Sequence, residues 1–126
     1  MLVEITTLKN HTPHPLNIYT PDTPDVLSDP GQGLLRTIAV SGPAARLTMD
    51  EQGNPSAVDG IPTQDVLYGQ DTSLPPEEPG VGIIVSLVSG LASARERGDI
   101  FVPYREVRNS AGTVIGCRAL ARPRTQ

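Results

Sequence analysis

The hydrophobic period of the chain changes near residue 86. Residues 82–86 (GIIVS) form a continuous apolar run of strand length. The residues that follow have helical spacing, with Leu87, Leu91 and Ala94 on one face. A buried strand followed by one main helix, over about residues 86–97, is therefore predicted.

Most other apolar segments have the composition or the alternation of short strands. Leu16 and Ile18 alternate with polar residues, which is typical of a half-buried strand. Residues 106–121 hold two apolar runs around the segment NSAG, which predicts a β-hairpin whose loop closes at Gly112 with a positive φ. Further strands are predicted at residues 2–8, 34–40, 45–49, 64–68 and 99–104, with 34–40 and 45–49 as a pair.

Three segments rich in Pro, Gly and Asp are predicted to be exposed loops: residues 20–33, 50–60 and 70–82. Together these elements predict an α+β fold, a small single domain (1–126) of mainly short antiparallel strands with one main helix and a C-terminal β-hairpin. The tail, residues 122–126, is expected to fray.

Length and composition limit the number of hydrophobic cores, the expected location and the class of partner. A chain of 126 residues supports one hydrophobic core. Cys117 is the single cysteine and cannot form an internal disulfide, so a reducing, cytoplasmic location is expected. No apolar segment approaches the roughly 20 residues needed to cross a bilayer, so no membrane association is expected. The acidic pI of about 5.0 argues against a general nucleic-acid binder.

Charge is unevenly distributed along the chain. Residues 1–80 carry eleven acids and three basic residues, whereas residues 81–126 carry seven arginines and three acids. We expect an anion to be attracted to the C-terminal third, where arginine forks can grip phosphate or carboxylate. The alternatives are exposed solubilising charge and pairing with nearby acids such as Asp99 and Glu106. The arginines considered are Arg95, Arg97, Arg105, Arg108 and Arg118.

The segment NHTPHPLNIY (10–19) contains both histidines of the chain, His11 and His14. His11 lies next to the Thr12-Pro13 step, and His14 itself precedes Pro15. These two X-Pro steps exclude a helix. Polyproline geometry would project both imidazoles from one side, but further ligands are missing and no metal site is predicted. Two readings remain: His11 solvated with His14 packed at a core edge, or His14 as an acid, a base or a hydrogen-bond donor to a ligand.

The start of the predicted helix is a second candidate site. Ser86 or Ser89 can cap it, and its free N–H groups could bind an anion, although ordinary capping explains the same residues. No dinucleotide fingerprint, P-loop or nucleophile elbow is present. Cys117 is in phase with Ile115 and Ala119 and is expected to be buried. The sequence therefore favours a non-catalytic protein without a cofactor.

Several segments together resemble a family of small, uncharacterised proteins from actinobacterial and phage genomes. They are NHTPHPLNIYTPDTPD, SGPAARL, GIPTQDVLYG, GIIVSLVSG and RGDIFVPYREVRNSAGTVIGCRALARP, with T-P-H-P and V-I-G-C-R the most distinctive parts. The resemblance covers most of the chain and implies a compact accessory protein of bacteria or their phages. It implies no activity, cofactor or catalytic residue.

The leading hypothesis is a non-catalytic binding module that sequesters a small anionic ligand, with nucleotide-derived compounds as one candidate class. One alternative is a protein–protein interaction or structural accessory protein that uses the acidic loops 20–33 and 70–82. Another is a small nucleotide hydrolase or nuclease that uses His14. A homo-oligomer is expected because short edge strands invite pairing. The predicted ligand-binding residues are His14, Ser86, Ser89, Arg95 and Arg108.

Overall fold

The computed structural model describes residues 4–71, 74–93 and 97–124. Strands dominate this part of the chain, and one short helix accompanies them. In chain order the elements are β1 (Thr7–Asn10), β2 (Leu16–Tyr19), β3 (Val26–Leu27), β4 (Leu34–Ile38), β5 (Leu47–Val58), β6 (Ile61–Asp71), β7 (Val81–Ile84), α1 (Leu87–Ser93), β8 (Ile100–Asn109) and β9 (Val114–Ala121).

Seven of these strands form one sheet that nearly closes on itself. Its order is β1-β7-β8-β9-β2-β4, and β3 pairs with β8 beside this path. The β1–β7, β7–β8 and β2–β9 pairs are parallel, whereas β8–β9 and β2–β4 are antiparallel. A parallel bridge between Asn10 and Val40 brings the two ends of the path together. The sheet is therefore barrel-like.

The α+β prediction is wrong, because the described chain is mostly β. The predicted main helix, residues 86–97, is a helix of seven residues at Leu87–Ser93, and residues 94–96 lie outside the described part. Gly90 shows why helical spacing misled: it lets α1 pack closely on β8, where a Cβ would overlap Val102 Cγ1. The apolar spacing therefore reflects a short packing contact and not a long amphipathic helix. Among the described residues, no helix is long and apolar enough to span a membrane.

The largest departure is a long hairpin in place of the predicted loop 50–60. We call β5, its turn and β6 the arm, residues 47–71. Asp59 and Gly60 connect the strands with φ values of 53° and 75°. Positive φ at both positions is what a two-residue type I′ turn requires, and its twist matches the flanking strands.

Strand pairing also differs from expectation near the arm. The predicted partners 34–40 and 45–49 do not pair with each other, because β4 pairs with β2 and β5 pairs with β6. Of the predicted first strand, residues 2–8, residues 2–3 lie outside the described part, and β1 begins only at Thr7. The predicted strand at 64–68 lies within β6.

The core consists of two apolar clusters that meet along β8. One contains Ile83, Val85, Ile100 and Val102, and the other contains Tyr19, Leu27 and Val107. Leu27 belongs to the segment 20–33, which is therefore not a wholly exposed loop. Its strand β3 adds to β8.

The C-terminal β-hairpin is confirmed. β8 and β9 pair over most of their length, and Gly112 has a φ of 85°. The Asn109 carboxamide oxygen accepts hydrogen bonds from the backbone N–H groups of Ala111 and Thr113, both 3.0 Å away. Of the predicted tail, Arg122 lies over the Phe101 ring at 4.8 Å. Residues 125–126 lie outside the described part.

Candidate functional site

The two histidines lie in the loop of residues 11–15, here the HTPHP loop, which joins β1 to β2. The side chain of Asn10 holds this loop in place from a fully buried position. Its amide nitrogen donates to the carbonyl oxygens of His14 (2.9 Å) and Ile38 (3.0 Å). Its oxygen accepts from the N–H (2.9 Å) and the hydroxyl (2.6 Å) of Thr12. One side chain therefore fixes the loop from both ends.

One interpretation of the sequence placed His11 in solvent and His14 at the core edge, and the structure shows the reverse. His11 is buried, its Nδ1–H donates to the Pro43 carbonyl oxygen at 3.0 Å, and its ring packs against Gly42. His14 is exposed. The reading failed because it extended the alternation of β2 back to His14, whereas residues 12–14 form a bend and β2 begins only at Leu16.

A change of face in β8 creates the opposite wall of the site. Ile100 and Val102 point into the core at even positions, but Val107 does so at an odd one. Between them, Tyr104, Arg105 and Glu106 are exposed in succession. Arg105 has a φ of 58°, a left-handed conformation that costs a non-glycine residue on the order of 1 kcal/mol. The strand therefore tolerates strain where it presents these three side chains.

The HTPHP loop, the start of α1, β8 and β9 enclose a pocket of about 580 Å³, here the His14 pocket. Ser86 lines it, as do His14 and the segment Tyr104–Glu106. Ligand pockets for small molecules commonly have volumes of roughly 300–1,000 Å³ and mostly apolar walls. The apolar wall here includes Pro13, Pro15, Leu16, Leu87, Pro103 and Ile115.

The predicted site residues are only partly brought together. His14 and Ser86 line the same pocket. Ser86 also begins the helix, because its carbonyl oxygen accepts the Gly90 N–H at 2.8 Å. Ser89 is buried and does not line the pocket, and Arg95 lies outside the described residues. A helix of two turns adds little to an anion site at its start.

Two arginines of the C-terminal third are structural. Arg97 makes two parallel bonds to the Asp99 carboxylate, at 3.0 and 2.7 Å, and this hydrogen bonding raises the pKa of Arg97. Arg118 donates to the Thr23 carbonyl oxygen at 2.7 Å and pairs with Asp25 at 2.5 Å, which ties the segment before β3 to β9. Both guanidinium groups are held by protein acceptors, and the one nitrogen of Arg118 without a partner among the described residues, Nε, is buried.

Arg108, like Arg97 and Arg118, is held by protein acceptors, whereas Arg105 has none among the described residues. Arg108 donates to the Gly112 carbonyl oxygen at 2.9 Å and lies 3.6 Å from a Glu106 carboxylate oxygen, so it supports the β8–β9 turn and does not line the pocket. Arg105 lines the pocket, and its contact within the described chain is the Tyr104 ring, 5.4 Å away. Its guanidinium hydrogen-bond donors therefore face outward without a protein acceptor there.

Neither Cys117 nor Tyr19 lines the His14 pocket. Cys117 is fully buried, as predicted, and desolvation by burial raises the pKa of its thiol. The hydroxyl of buried Tyr19 donates to the Pro30 carbonyl oxygen at 2.6 Å, and burial together with the charge of Asp29 raises its pKa. Within the described residues, no three His, Cys, Asp or Glu side chains are grouped as metal ligands.

Tyr104 is not among the predicted site residues, and Arg105 is among the arginines considered but not in the predicted ligand-binding set, although the sequence contains a signal for both. Apolar residues occupy even positions at Ile100 and Val102 and an odd position at Val107. Such a break in a period of two marks a place where a strand changes face. The positive φ of Arg105 has no sequence signal, because glycine and asparagine are the residues that normally adopt it.

No protein-family model, curated protein or solved structure gives a significant match to this chain.

Proposed function

We propose that the protein is a non-catalytic binding module whose His14 pocket takes a small anionic ligand. The observation that carries the proposal is the position of Arg105, a guanidinium without a protein acceptor among the described residues, at an apolar pocket that His14 and Ser86 also line. An arginine in this state can bind a phosphate or carboxylate in two places.

The walls suggest what the rest of the ligand is like. Prolines and aliphatic side chains form much of the lining, and Tyr104 adds an exposed ring. These surfaces suit a flat, weakly polar body that His14 and Ser86 orient by hydrogen bonds. Glu106 shares the pocket, and its negative charge disfavours polyanions. A nucleoside monophosphate, with one anionic group and one flat base, is therefore the first class to test.

A sequestering role agrees better with this pocket than hydrolysis does. His14 has no hydrogen-bonded carboxylate to orient it in the described chain, and the buried thiol of Cys117 is not a nucleophile. In line with the family resemblance, we propose an accessory protein of a bacterium or its phage. The lone cysteine suits a reducing cytoplasm.

The test is a thermal-shift screen of the purified protein against nucleoside mono-, di- and triphosphates, cyclic nucleotides, simple carboxylates and inorganic phosphate. A ligand at 100 times its Kd adds about 2.7 kcal/mol of stability. For a domain of this size that raises the melting temperature by roughly 10 °C. We expect the largest shift from a monophosphate, and no shift from any anion would contradict the proposal.

Variants locate the binding site. We expect Arg105→Ala to weaken ligand binding by about ten- to a hundredfold, because a charge-assisted hydrogen bond contributes about 1.5–3 kcal/mol. His14→Ala should weaken binding less, by several fold. Arg36→Ala and Arg108→Ala remove the same charge outside the pocket and should leave the Kd unchanged. Equal losses from Arg105→Ala and Arg36→Ala would indicate attraction to overall charge and would overturn the assignment.

The same samples test hydrolysis. If the bound nucleotide is recovered intact after prolonged incubation, the protein is a binder. If it is converted by the wild type and not by His14→Ala, the alternative of a small hydrolase replaces the proposal.

A further inference from the structure

The arm exposes large apolar side chains that no described part of the chain covers. Met49, Val58, Ile61, Leu67 and Tyr68 are each about three-fifths exposed. The register pairs Met49 with Tyr68 on one face and Val58 with Ile61 on the other. Apolar surface is thus present on both faces of the arm.

The arm is also a sheet of two strands, separate from the main sheet. α1 lies beside part of β6, but the exposed apolar residues of the arm have no covering layer among the described residues. A two-stranded hairpin without such a layer is marginally stable in water at best. A concentration of large exposed apolar side chains on one hairpin is typical of an interaction site. A partner surface is therefore expected to cover the arm.

Charge indicates which surface this is. The arm carries five acids and no basic residue, whereas the rest of the chain carries nine acids and ten basic residues. Two arms would repel each other, so direct pairing of arms is disfavoured. The face around the His14 pocket offers the complementary features: the unpaired guanidinium of Arg105 and the exposed apolar side chains of Leu87, Tyr104 and Val114. The Glu106 carboxylate on the same face is partly balanced by Arg108, 3.6 Å away. No described arm residue of the same chain lines that pocket.

We infer that the arm docks on the His14-pocket face of a second copy of this chain. The contact is reciprocal in a two-fold dimer, so that each chain gives one arm and receives one. Apolar arm side chains then pack against Leu87 and Val114, and an arm carboxylate pairs with Arg105. The inference goes beyond the proposed function, because it needs no ligand; an anionic ligand in the pocket competes with the arm carboxylate for Arg105.

The experiment is sedimentation velocity or light scattering of the full chain without ligand. We expect a dimer whose dissociation constant rises with salt, because part of the attraction is between charges. Ile61→Asp and Tyr68→Asp change exposed arm residues and should each raise the dimer Kd at least about tenfold, which corresponds to about 1.4 kcal/mol. The control Leu35→Asp makes a similar change at an equally exposed residue of β4 and should leave the dimer intact.

Arg105→Glu tests the receiving surface. It should raise the dimer Kd by a similar factor, whereas Arg36→Glu should leave the dimer Kd unchanged. A monomeric wild type overturns the inference, as does a dimer that both arm variants leave unchanged. A dimer sensitive to the arm variants but not to Arg105→Glu overturns the assignment to the pocket face. Ligand affinity is not an outcome of this experiment, so its failure and that of the proposed function are distinguishable.

Discussion

Asn10 is the residue on which the geometry of the HTPHP loop depends. Its side-chain amide uses both donors and both acceptor positions to bond Thr12, His14 and Ile38. The loop is therefore attached to the main sheet through one carboxamide. This attachment, and not the prolines alone, directs His14 toward the pocket while His11 lies inside.

Replacing Asn10 by alanine should therefore destabilise the protein strongly. The change removes the donor to the buried Ile38 carbonyl oxygen and the acceptor of the part-buried Thr12 N–H, at a cost of about 1–3 kcal/mol for a buried group. We expect the midpoint of thermal unfolding to fall by about 5–10 °C. Asn54→Ala, an exposed position on the arm, is the matched control and should change it little. An unaltered midpoint in Asn10→Ala would contradict the structural role.

The raised pKa values of Cys117 and Tyr19 predict a loss of stability at alkaline pH. Burial raises the pKa of both groups in the folded state, so the unfolded state releases protons first as the pH rises. The stabilising contribution is complete below the ordinary thiol pKa of about 8.5 and declines above it. Urea midpoints at about pH 7, 8.5 and 10 should therefore fall in that order. Cys117→Ala should flatten the decline between the last two, and an identical slope there would refute the contribution of the thiol.

At the scale of elements, α1 shows how packing overrides local propensity. Alanine at position 90 would improve the helix by about 1 kcal/mol if the helix stood alone. On β8, however, the added Cβ meets Val102, and overpacking costs about 1–3 kcal/mol. We expect Gly90→Ala to lower the free energy of unfolding, as measured by urea denaturation.

The control for this substitution is Gly98→Ala. A Cβ at position 98 meets no described atom within 4 Å, so the variant should be as stable as the wild type or slightly more stable. Adding Val102→Ala should make Gly90→Ala less harmful than the two single effects predict. A stabilised Gly90→Ala would show that α1 does not pack on β8 in this way.

The strands differ in how readily sequence predicts them. The alternation of apolar and polar residues predicts β2, and Gly112 in the segment between two apolar runs predicts the C-terminal hairpin. The arm also has a signal, because Asp59-Gly60 between apolar residues is typical of a type I′ hairpin, but Gly53 and Pro55 made β5 look like a loop. In the structure the register shifts between Gln52 and Ser56, an irregularity at which a strand tolerates proline.

At the scale of the whole molecule, sequence did not indicate the nearly closed sheet. The pairs that define it join distant segments, such as β1 with β7 and Ile18 with Cys117. Such pairings depend on tertiary packing and have no local pattern. An apolar run before a helical period is equally typical of α+β proteins, and this local pattern therefore predicts the wrong fold class here.

The candidate site was predictable to the extent that its residues have local signals. His14 and Ser86 were identified from the X-Pro steps and from the strand-to-helix transition, and they line one pocket. Which arginine joins them was not predictable, because that depends on the partners of each guanidinium. Arg108 is held by the hairpin turn, whereas Arg105 is left to the pocket.

The central claim is that the His14 pocket binds a small amphipathic anion. The most direct measurement is a ¹⁵N–¹H NMR titration of the labelled protein with a nucleoside monophosphate. We predict saturable shift changes concentrated at residues 12–17, 86–87, 102–106 and 114–116. Saturable changes elsewhere in the chain, or none at ligand concentrations that saturate ordinary nucleotide sites, would contradict the account.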